Sequence, residues 1–273
     1  MQPDLYAVIG NPIAHSMSPQ IHTAFALETE QNLVYEKLLA DVDQFSEVVE
    51  AFRKRGGKGL NVTVPFKQYA WAWSDHRSER AERAGAVNTI LFNDDGSSLS
   101  DNTDGVGLVR DILHNHAGTI YQKRVLILGA GGAVRGVLAP VLAENPAQLV
   151  IANRTKKRAT ELADTFGDLG EIVGCDFSDL EGESFDLVIN GTAASLQGEV
   201  PPLPGGVVTQ KSFCYDMMYG KKEDTAFVVW AREQGAQCAV DGLGMLVEQA
   251  AESFYLWRDV RPETQPVLAA LRG

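Results

Sequence analysis

The stretch Lys123–Arg135, KRVLILGAGGAVR, constrains the fold of this chain more than any other part of the sequence. It begins with an unbroken apolar run, Val125–Leu128, as expected for a parallel strand buried on both faces. A glycine-rich turn follows at Gly129, and a helical apolar pattern opens at Val134. This order predicts a phosphate-binding turn, because glycines let the backbone approach a pyrophosphate at the positive end of the helix. The match to G-x-G-x-x-G is incomplete, since Val134 occupies the place of the third glycine.

The residues after this stretch continue an alternation of strands and helices, which is typical of a parallel sheet. Short apolar runs predict further strands at Gln148–Ala152, Phe185–Ile189, Phe213–Met217 and Ala236–Val240. A strongly periodic apolar helix is predicted over Met245–Trp257, and it places Met245 and Gln249 four residues apart on one face. The pattern indicates a Rossmann-type dinucleotide-binding domain within an α/β protein.

The densest positive charge of the chain lies directly after the predicted strand Gln148–Ala152. Asn153 stands about 20 residues beyond the glycines, where an NAD-binding fold carries Asp or Glu for the ribose 2′-hydroxyl. Four cations then follow within Arg154–Arg158. The helix dipole disfavours a basic first turn, whereas arginine binds phosphate through two parallel hydrogen bonds. On a chain with a net charge of −12, this cluster favours NADP(H) over NAD(H).

The residues before Lys123 follow a less regular order and predict a separate α/β domain. Strands are predicted at 5–9, 32–40 and 59–64, with a hairpin formed by 87–92 and 98–100. Helices are predicted over 43–56, from 66 onward, over 78–84 and from 104 onward, and Ser18 is predicted to cap a further helix. The change of pattern predicts domains at 1–104 and 105–242. We expect residues 243–273 to form helices that return to the first domain.

Polar side chains of this first part fall where open α/β sheets bind ligands, at the carboxyl ends of strands. Asn61 and Thr63 share one face of a predicted strand, and Lys67 follows at the start of a helix. Asp104 is either an N-cap or a carboxylate directed at the same cleft as Lys67. The sequence therefore predicts a polar cluster that contains a cation.

Two serines stand at the predicted start of the first helix. Ser16 and Ser18 are two residues apart, so both hydroxyls can lie near a helix N-terminus, where a carboxylate is favourable. Capping alone explains both serines equally well, and on the local sequence it is the favoured interpretation.

The acidity and cysteine content of the chain exclude several classes of function. A net charge of −12 repels nucleic acid, and no arginine-rich face compensates for it. No apolar run reaches the length of a membrane span, and the first residues lack the features of a signal peptide. Three cysteines without metal-ligand spacing indicate reduced thiols. We therefore expect a cytoplasmic protein that binds a small molecule, with no metal and no nucleic-acid or membrane partner.

Eight motifs, taken in order, resemble the shikimate dehydrogenase family over essentially the whole chain. They are GNPIAHSMSP, GLNVTVPFK, GAVNT, DNTDG, GAGGA, NRT, YDMMYG and DGLGMLVEQA. The resemblance implies the reversible, NADPH-dependent reduction of 3-dehydroshikimate to shikimate on the route to chorismate and the aromatic amino acids. It also implies a substrate domain built from the N-terminal part and the C-terminal helices, with the NADP-binding Rossmann domain inserted between them, in a monomer or homodimer.

The resemblance assigns a role to each matching position. It implies Lys67 and Asp104 as the catalytic pair. For the substrate, it implies that the carboxylate and ring hydroxyls are bound by Ser16, Ser18, Asn61, Thr63, Asn88, Asp104, Tyr219 and Gln249. For NADP, it implies the pyrophosphate residues Gly129, Ala130, Gly131, Gly132 and Ala133, the adenosine-phosphate residues Asn153, Arg154, Thr155 and Arg158, and the nicotinamide residues Thr192, Met217, Gly242 and Met245.

One departure and two alternatives accompany this resemblance. Ala193 follows Thr192 where many relatives carry serine, which concerns only the local loop contacts. A quinate/shikimate dehydrogenase of broader specificity that uses NAD is disfavoured by the basic cluster. A catalytically silent NADP-sensing module is disfavoured by the presence of both Lys67 and Asp104.

Overall fold

The computed structural model describes residues 2–220 and 223–273, and the chain divides into two compact units. Unit 1 comprises Met1–Gly107 together with Val247–Gly273, and unit 2 comprises Leu108–Leu246. In the described part of the chain, no helix combines the length and the apolar character that crossing a bilayer requires.

Unit 1 contains a six-stranded mixed sheet with helices from both ends of the chain. Its strands are β1 (Asp4–Gly10), β2 (Leu33–Leu39), β3 (Gly57–Val62), β4 (His76–Arg77), β5 (Thr89–Phe92) and β6 (Ser98–Asp101). Its helices are α1 (Ser18–Glu28), α2 (Phe45–Lys54), α3 (Lys67–Trp73), α4 (Glu79–Ala84), α5 (Asp104–Arg110), α9 (Leu243–Arg258) and α10 (Gln265–Arg272). Helix α5 begins in unit 1 and ends in unit 2, whereas α9 begins in unit 2 and ends in unit 1.

The sheet of unit 1 has the order β2-β1-β3-β5-β6-β4. Strands β2, β1 and β3 are parallel, as expected for strands joined through helices, while β5 and β6 form an antiparallel hairpin. The predicted hairpin is thus confirmed. Tyr6–Ile9 of β1 are all buried, which fits a strand with a parallel neighbour on each side.

The predicted capping role of Ser18 is wrong. Helix α1 begins at Ser18, its N-cap is Met17, and no side chain caps it. The reason is local, because Met17 already has an α-helical backbone conformation and Ser18 is therefore inside the helix. Ser16 accepts the Ser18 backbone N–H at 3.3 Å instead, so the two serine hydroxyls come together for another reason than the one predicted.

Unit 2 contains a six-stranded parallel sheet flanked by helices. Its strands are β7 (Arg124–Leu128), β8 (Gln148–Ala152), β9 (Ile172–Cys175), β10 (Leu187–Asn190), β11 (Phe213–Asp216) and β12 (Cys238–Val240). Its helices are α6 (Gly132–Ala143), α7 (Lys156–Phe166) and α8 (Ala226–Glu233). A π-helical turn, Asp111–Asn115, follows α5 directly.

The sheet of unit 2 has the order β12-β11-β10-β7-β8-β9, and each neighbouring pair is parallel. The chain starts in the middle at β7, proceeds outward to β8 and β9, and then returns to the other side of β7. The strand order therefore reverses between β7 and β10, which is where Rossmann folds bind dinucleotides. This arrangement confirms the predicted Rossmann-type fold.

Strand β9 was not predicted from the sequence. It is short and only partly buried, and Val173 is exposed, so its residues lack the apolar run of a central strand. Gly174 lies so close to helix α7 that a Cβ there would be 2.3 Å from the Ala159 carbonyl carbon. Close packing of a helix on an edge strand explains both the glycine and the weak sequence pattern.

Candidate active site and cofactor site

Lys67 and Asp104 form an ion pair beyond the carboxyl ends of β3 and β6, two strands of unit 1 that are separated by β5. Lys67 is the first residue of α3, shortly after β3, and Asp104 is the first residue of α5, shortly after β6. The Lys67 ammonium donates to Asp104 Oδ2. Only 8 % of the Asp104 side chain is exposed, against 20 % of Lys67. The ammonium thus keeps limited access from outside, while the carboxylate behind it is buried.

Asn88 holds the second oxygen of this carboxylate. Its Nδ2 donates to Asp104 Oδ1 at 2.8 Å and to Thr103 Oγ1 at 2.9 Å, and Gln249 Oε1 lies 3.2 Å away. Its Oδ1 accepts the Thr103 backbone N–H at 2.8 Å. The amide has two hydrogens for three acceptors, so the longest contact, to Gln249, is the one most readily exchanged for a ligand. Asn88 therefore orients Asp104.

Asn61 hydrogen-bonds to residues that surround Asn88. It accepts from the Tyr35 hydroxyl at 2.7 Å and donates to Ser253 Oγ at 3.0 Å and Thr89 Oγ1 at 3.2 Å. Because it is buried and its amide is used by protein partners, its main effect is on the positions of its neighbours. Thr63 lies just beyond β3, where its methyl would be 2.5 Å from a Cβ at Gly10. Gly10 is therefore needed for Thr63 to sit against β1.

The two serines form a pair at the start of α1. Ser16 Oγ donates to Ser18 Oγ at 3.2 Å. Lys37 on β2 donates to the Ala14 carbonyl oxygen at 2.6 Å, which fixes the segment leading to them. Two adjacent hydroxyls at a helix N-terminus can bind a carboxylate with help from the helix dipole.

The glycine turn of unit 2 lies at the point where the strand order reverses. Gly129 directly follows β7 and has φ of +102°, a conformation that other residues rarely adopt. Helix α6 begins at Gly132, with Gly131 as its N-cap and no side-chain cap. Among the described residues, a Cβ on Gly131 or Gly132 would meet no atom within 4 Å. Neither glycine is required by the protein's own packing, which is what a turn shaped for a bound pyrophosphate predicts.

Val134 explains the incomplete glycine pattern. The third glycine normally permits close packing of helix on strand. In this chain the buried Val134 side chain fills that space. The residue opposite it, just after β10, is Gly191, which has no side chain to collide with Val134. A Cβ on Gly191 would lie 2.4 Å from Val134 Cγ2 and 3.2 Å from Met217 Sδ. Helix α6 therefore still packs closely on the sheet, but the glycine that permits it follows β10 and is not in the helix.

The basic segment after β8 divides into paired and unpaired cations. Lys156 pairs with Asp179 at 2.7 Å, and Lys157 lies 3.7 Å from Glu161. Within residues 2–220 and 223–273, by contrast, no carboxylate pairs with the exposed Arg154 or Arg158.

Arg154 and Arg158 lie at the N-terminus of α7. Asn153 donates to the Thr155 carbonyl oxygen at 3.0 Å, and Thr155 is the N-cap of α7 without using its side chain. Two exposed arginines at a helix N-terminus fit the 2′-phosphate that distinguishes NADP from NAD.

The residues predicted to contact nicotinamide lie together at the ends of β10 to β12. Thr192 Oγ1 donates to Asn190 Oδ1 at 2.7 Å, and the Met217 backbone N–H donates to the Asn190 carbonyl oxygen. A Cβ on Gly242 would lie 2.5 Å from the Met217 carbonyl oxygen. Met245 follows within the first turn of α9. Nearby, Ala193 is the N-cap of a short 3-10 helix, Ala194–Gln197.

The structure brings together more residues than the sequence pointed out. In unit 1, the hydroxyls of Thr89, Thr103 and Ser253 connect Asn61 with Asn88, and the Tyr35 hydroxyl donates to Asn61. Ser253 follows Gln249 by one helical turn, which was the available signal. Tyr219 lies half-buried in unit 2, and burial raises the pKa of its hydroxyl.

Comparison with known proteins identifies the family. Residues 8–90 match the family described as shikimate dehydrogenase substrate binding domain, residues 111–197 match shikimate / quinate 5-dehydrogenase, and residues 242–272 match the shikimate 5′-dehydrogenase C-terminal domain. The shikimate dehydrogenase (NADP(+)) of Cellvibrio japonicus is 58 % identical over 98 % of this chain and 97 % of that protein.

Two solved structures extend the comparison. An Ael1 enzyme from Pseudomonas putida superposes with a TM-score of 0.91, at 47 % identity and 98 % coverage of both chains. The shikimate 5-dehydrogenase of Thermus thermophilus, solved with NADP(H) and shikimate, has a TM-score of 0.85, at 30 % identity and 98 % coverage of both chains. The family resemblance of the sequence is thereby confirmed, and this chain belongs to the NADP-dependent shikimate dehydrogenases, a family of oxidoreductases.

Proposed function

We propose that this chain catalyses the reversible, NADPH-dependent reduction of 3-dehydroshikimate to shikimate, within the biosynthesis of chorismate and the aromatic amino acids. The observation that carries the proposal is the Lys67–Asp104 ion pair, with Asn88 holding the second carboxylate oxygen. We assign residues 1–104 and 243–273 to substrate binding and residues 105–242 to NADP(H). The substrate is a small molecule, and the free cysteines and acidic charge fit a cytoplasmic enzyme that binds neither nucleic acid nor membrane.

The residues of unit 1 handle the charge that develops during reduction. NADPH, when bound, supplies the hydride that forms the new C–H bond. The substrate carbonyl oxygen then becomes negative, and the Lys67 ammonium stabilises it and donates the proton that completes the hydroxyl. Asp104 keeps the ammonium in place. In the reverse direction, the Lys67 amine accepts the hydroxyl proton of shikimate.

The remaining polar residues of the proposed site orient the substrate. Ser16 and Ser18 bind its carboxylate, and its ring hydroxyls contact Thr63, Asn88, Asp104, Gln249 and Tyr219, with Asn61 positioning its neighbours. A carboxylate at one end and hydroxyls at the other fix which carbon is presented, because a misplaced hydroxyl leaves buried polar groups unpaired.

The residues of unit 2 hold the cofactor. We assign the pyrophosphate to the backbone of Gly129, Ala130, Gly131, Gly132 and Ala133. The 2′-phosphate and its ribose are assigned to Asn153, Arg154, Thr155 and Arg158, and the nicotinamide to Thr192, Met217, Gly242 and Met245. This assignment is supported by the space beside Gly131 and Gly132, where a Cβ would meet no described atom, and by the exposure of the two arginines.

The test is to mix the protein with shikimate and NADP⁺ and to follow the absorbance of NADPH. We expect turnover with this pair, much less with NAD⁺, and little with quinate. Faster oxidation of quinate than of shikimate would replace the proposed substrate. No reduction of NADP⁺ with either acid, despite NADP⁺ binding, would instead indicate a binding module.

A further inference from the structure

A buried tyrosine and aspartate of unit 2, outside the proposed site, contact the turn that leads into α9. The Tyr215 hydroxyl on β11 donates to Asp111 Oδ2 at 2.5 Å and accepts the Met245 backbone N–H at 3.3 Å. Both side chains are fully buried. Met245 is the third residue of α9, so its N–H has no partner inside the helix. The hydroxyl oxygen of Tyr215, a residue of β11, therefore accepts one of the unpaired N–H groups in the first turn of α9.

Asp111 is held in place by its own segment. It opens the π-helical turn Asp111–Asn115, and Asn115 Nδ2 donates to its Oδ1 at 2.7 Å. His116 Nε2 lies 3.6 Å from the same oxygen. With a donor on each oxygen, the group accepts as a carboxylate, and it polarises the Tyr215 hydroxyl toward the N–H of Met245. π-Helical turns of this kind are frequent at functional sites.

The carboxylate also lies directly against the backbone of the turn. A Cβ on Gly244 would be 1.9 Å from Asp111 Oδ1, so no side chain can replace the glycine without moving Asp111. On the other side, Gly242 donates its N–H to the Met218 carbonyl oxygen at 2.9 Å. The turn Gly242–Met245 is thus held from both sides. A negative group beside the first turn of α9 is also favourable to the helix dipole.

We propose that Asp111 and Tyr215 are positioning residues that fix the turn Gly242–Met245 and, through it, the nicotinamide end of NADP(H). This inference rests on the assignment of Gly242 and Met245 to the nicotinamide in the proposed function. Asp111 and Tyr215 touch neither substrate nor cofactor in this proposal. They act through the backbone of the turn, so their loss should weaken contacts to nicotinamide and leave contacts to the adenosine phosphate intact.

The experiment compares two ligands that differ in the nicotinamide half. NADP⁺ carries it, whereas 2′,5′-ADP has the adenosine and the 2′-phosphate alone. Calorimetry would measure the Kd of each for the wild type, Tyr215→Phe and Asp111→Asn. We expect both variants to raise the Kd of NADP⁺ about tenfold, as for the loss of one buried hydrogen bond, with the Kd of 2′,5′-ADP unchanged.

A matched control is Ser212→Ala, which also removes a buried hydroxyl from unit 2. Ser212 Oγ donates to the Phe185 carbonyl oxygen at 2.6 Å, away from the turn. We expect it to lower thermal stability and to change neither Kd. Equal weakening of both ligands by Tyr215→Phe and Asp111→Asn, or no weakening of NADP⁺, would overturn the proposal.

A measurement on the wild type covers the case in which the variants do not fold. Amide hydrogen exchange at Met245 should slow when NADP⁺ binds and should not slow with 2′,5′-ADP; equal protection by both ligands would contradict the inference. Neither experiment uses shikimate. A protein that binds NADP⁺ as expected but does not oxidise shikimate would therefore remove the proposed reaction and leave this inference standing.

Discussion

The two units present their proposed ligand residues in opposite ways. In unit 1, the side chains of Lys67, Asp104 and Asn88 hydrogen-bond one another with little exposure, and the Asn61 amide donates to the Asn88 carbonyl oxygen. In unit 2, the glycine turn offers backbone with empty space beside it, and Arg154 is exposed. The side chains of the first site hold one another in place, whereas the second offers backbone N–H groups and an exposed arginine to which a phosphate can bind.

This difference follows from the chemistry that each site serves. A reacting carbonyl needs a proton donor at a fixed place, and fixed placement requires buried partners on every side of the donor. A phosphate needs only N–H groups and cations within reach. Changes in the Lys67 group should therefore reduce kcat, and changes in the unit 2 turn and arginines should reduce cofactor affinity.

The largest expected effect is that of Lys67→Ala. Removing the ammonium takes away a contact made to the developing negative oxygen, so kcat should fall on the order of 10²-fold or more with little change in KM. Steady-state kinetics of shikimate oxidation would measure both constants. Lys58→Ala is the matched control, since Lys58 is a partly exposed lysine of unit 1 paired with Asp94 at 3.2 Å. Turnover of Lys67→Ala at the wild-type rate would exclude Lys67 from the chemistry.

A smaller and different effect is expected from Arg154→Ala. Loss of a charge-assisted hydrogen bond to phosphate should raise the KM for NADPH roughly 10- to 100-fold and leave that for NADH nearly unchanged. The ratio of the two specificity constants is the measurement.

The control for the arginine variant lies in the same segment. Lys156→Ala removes a cation that Asp179 already neutralises, so it should change the cofactor preference much less. If Arg154→Ala kept the full preference for NADPH, or if Lys156→Ala abolished it, the assignment of the 2′-phosphate would be wrong.

Several features of the two units could be predicted from the sequence because they depend on neighbours in the chain. The apolar run Val125–Leu128 with its glycines predicts the Rossmann-type sheet, and Lys67 follows a strand that carries polar residues on one face. The roles given to Asn88 and Gln249 came from the family resemblance. Motif and periodicity are local signals, and they indicate the type and place of an element.

Other features could not be predicted, because they depend on contacts between distant residues. The hydrogen bond of Asn61 to Ser253 spans 192 positions, and the position of Ser253 one helical turn after Gln249 does not indicate which distant residue it contacts. The same holds for Asp111 and Tyr215, which are 104 positions apart. The failure at Ser18 is different in kind. A serine before proline fits a cap by composition, but the backbone of Met17 decides where the helix begins.

Gly131→Ala tests whether a ligand occupies the space beside the glycine turn of unit 2. A Cβ there meets no described atom within 4 Å, and the backbone is extended, so alanine should leave stability unchanged or raise it by about 0.4–1 kcal/mol. The same methyl would occupy the position of the pyrophosphate and should weaken NADP⁺ binding roughly tenfold.

Denaturant unfolding and calorimetry would separate these two effects. Gly205→Ala is the control, because a Cβ at Gly205 also meets no described atom within 4 Å; it should affect stability as Gly131→Ala does and leave NADP⁺ binding unchanged. If the Gly131→Ala variant binds NADP⁺ with wild-type affinity, the cofactor does not approach this turn.

The smallest expected effect is the contribution of buried His22 to the pH dependence of the free energy of unfolding. His22 on α1 is fully buried and stacks on Tyr35 with ring centroids 4.3 Å apart, and burial lowers its pKa to about 3 from 6.5. Between these values the unfolded chain binds a proton that the native state does not. The free energy of unfolding should therefore fall as the pH drops below 6.5, by at most about 1.4 kcal/mol per pH unit from this group.

Replacing His22 by phenylalanine should remove this contribution and keep the aromatic stacking. Among the described residues, neither ring nitrogen of His22 has a partner with hydrogen-bond geometry, and the neighbouring Asn61 only partly offsets the lowering of the pKa by burial, so the replacement removes no well-formed hydrogen bond. Urea unfolding at several values between about pH 4 and pH 7 would compare the variant with the wild type and with His76→Gln, an exposed histidine of the same unit. Titration of carboxylates is common to all three proteins, so the difference in slope isolates His22. Equal slopes for His22→Phe and the wild type would mean that the acid sensitivity of unit 1 arises elsewhere.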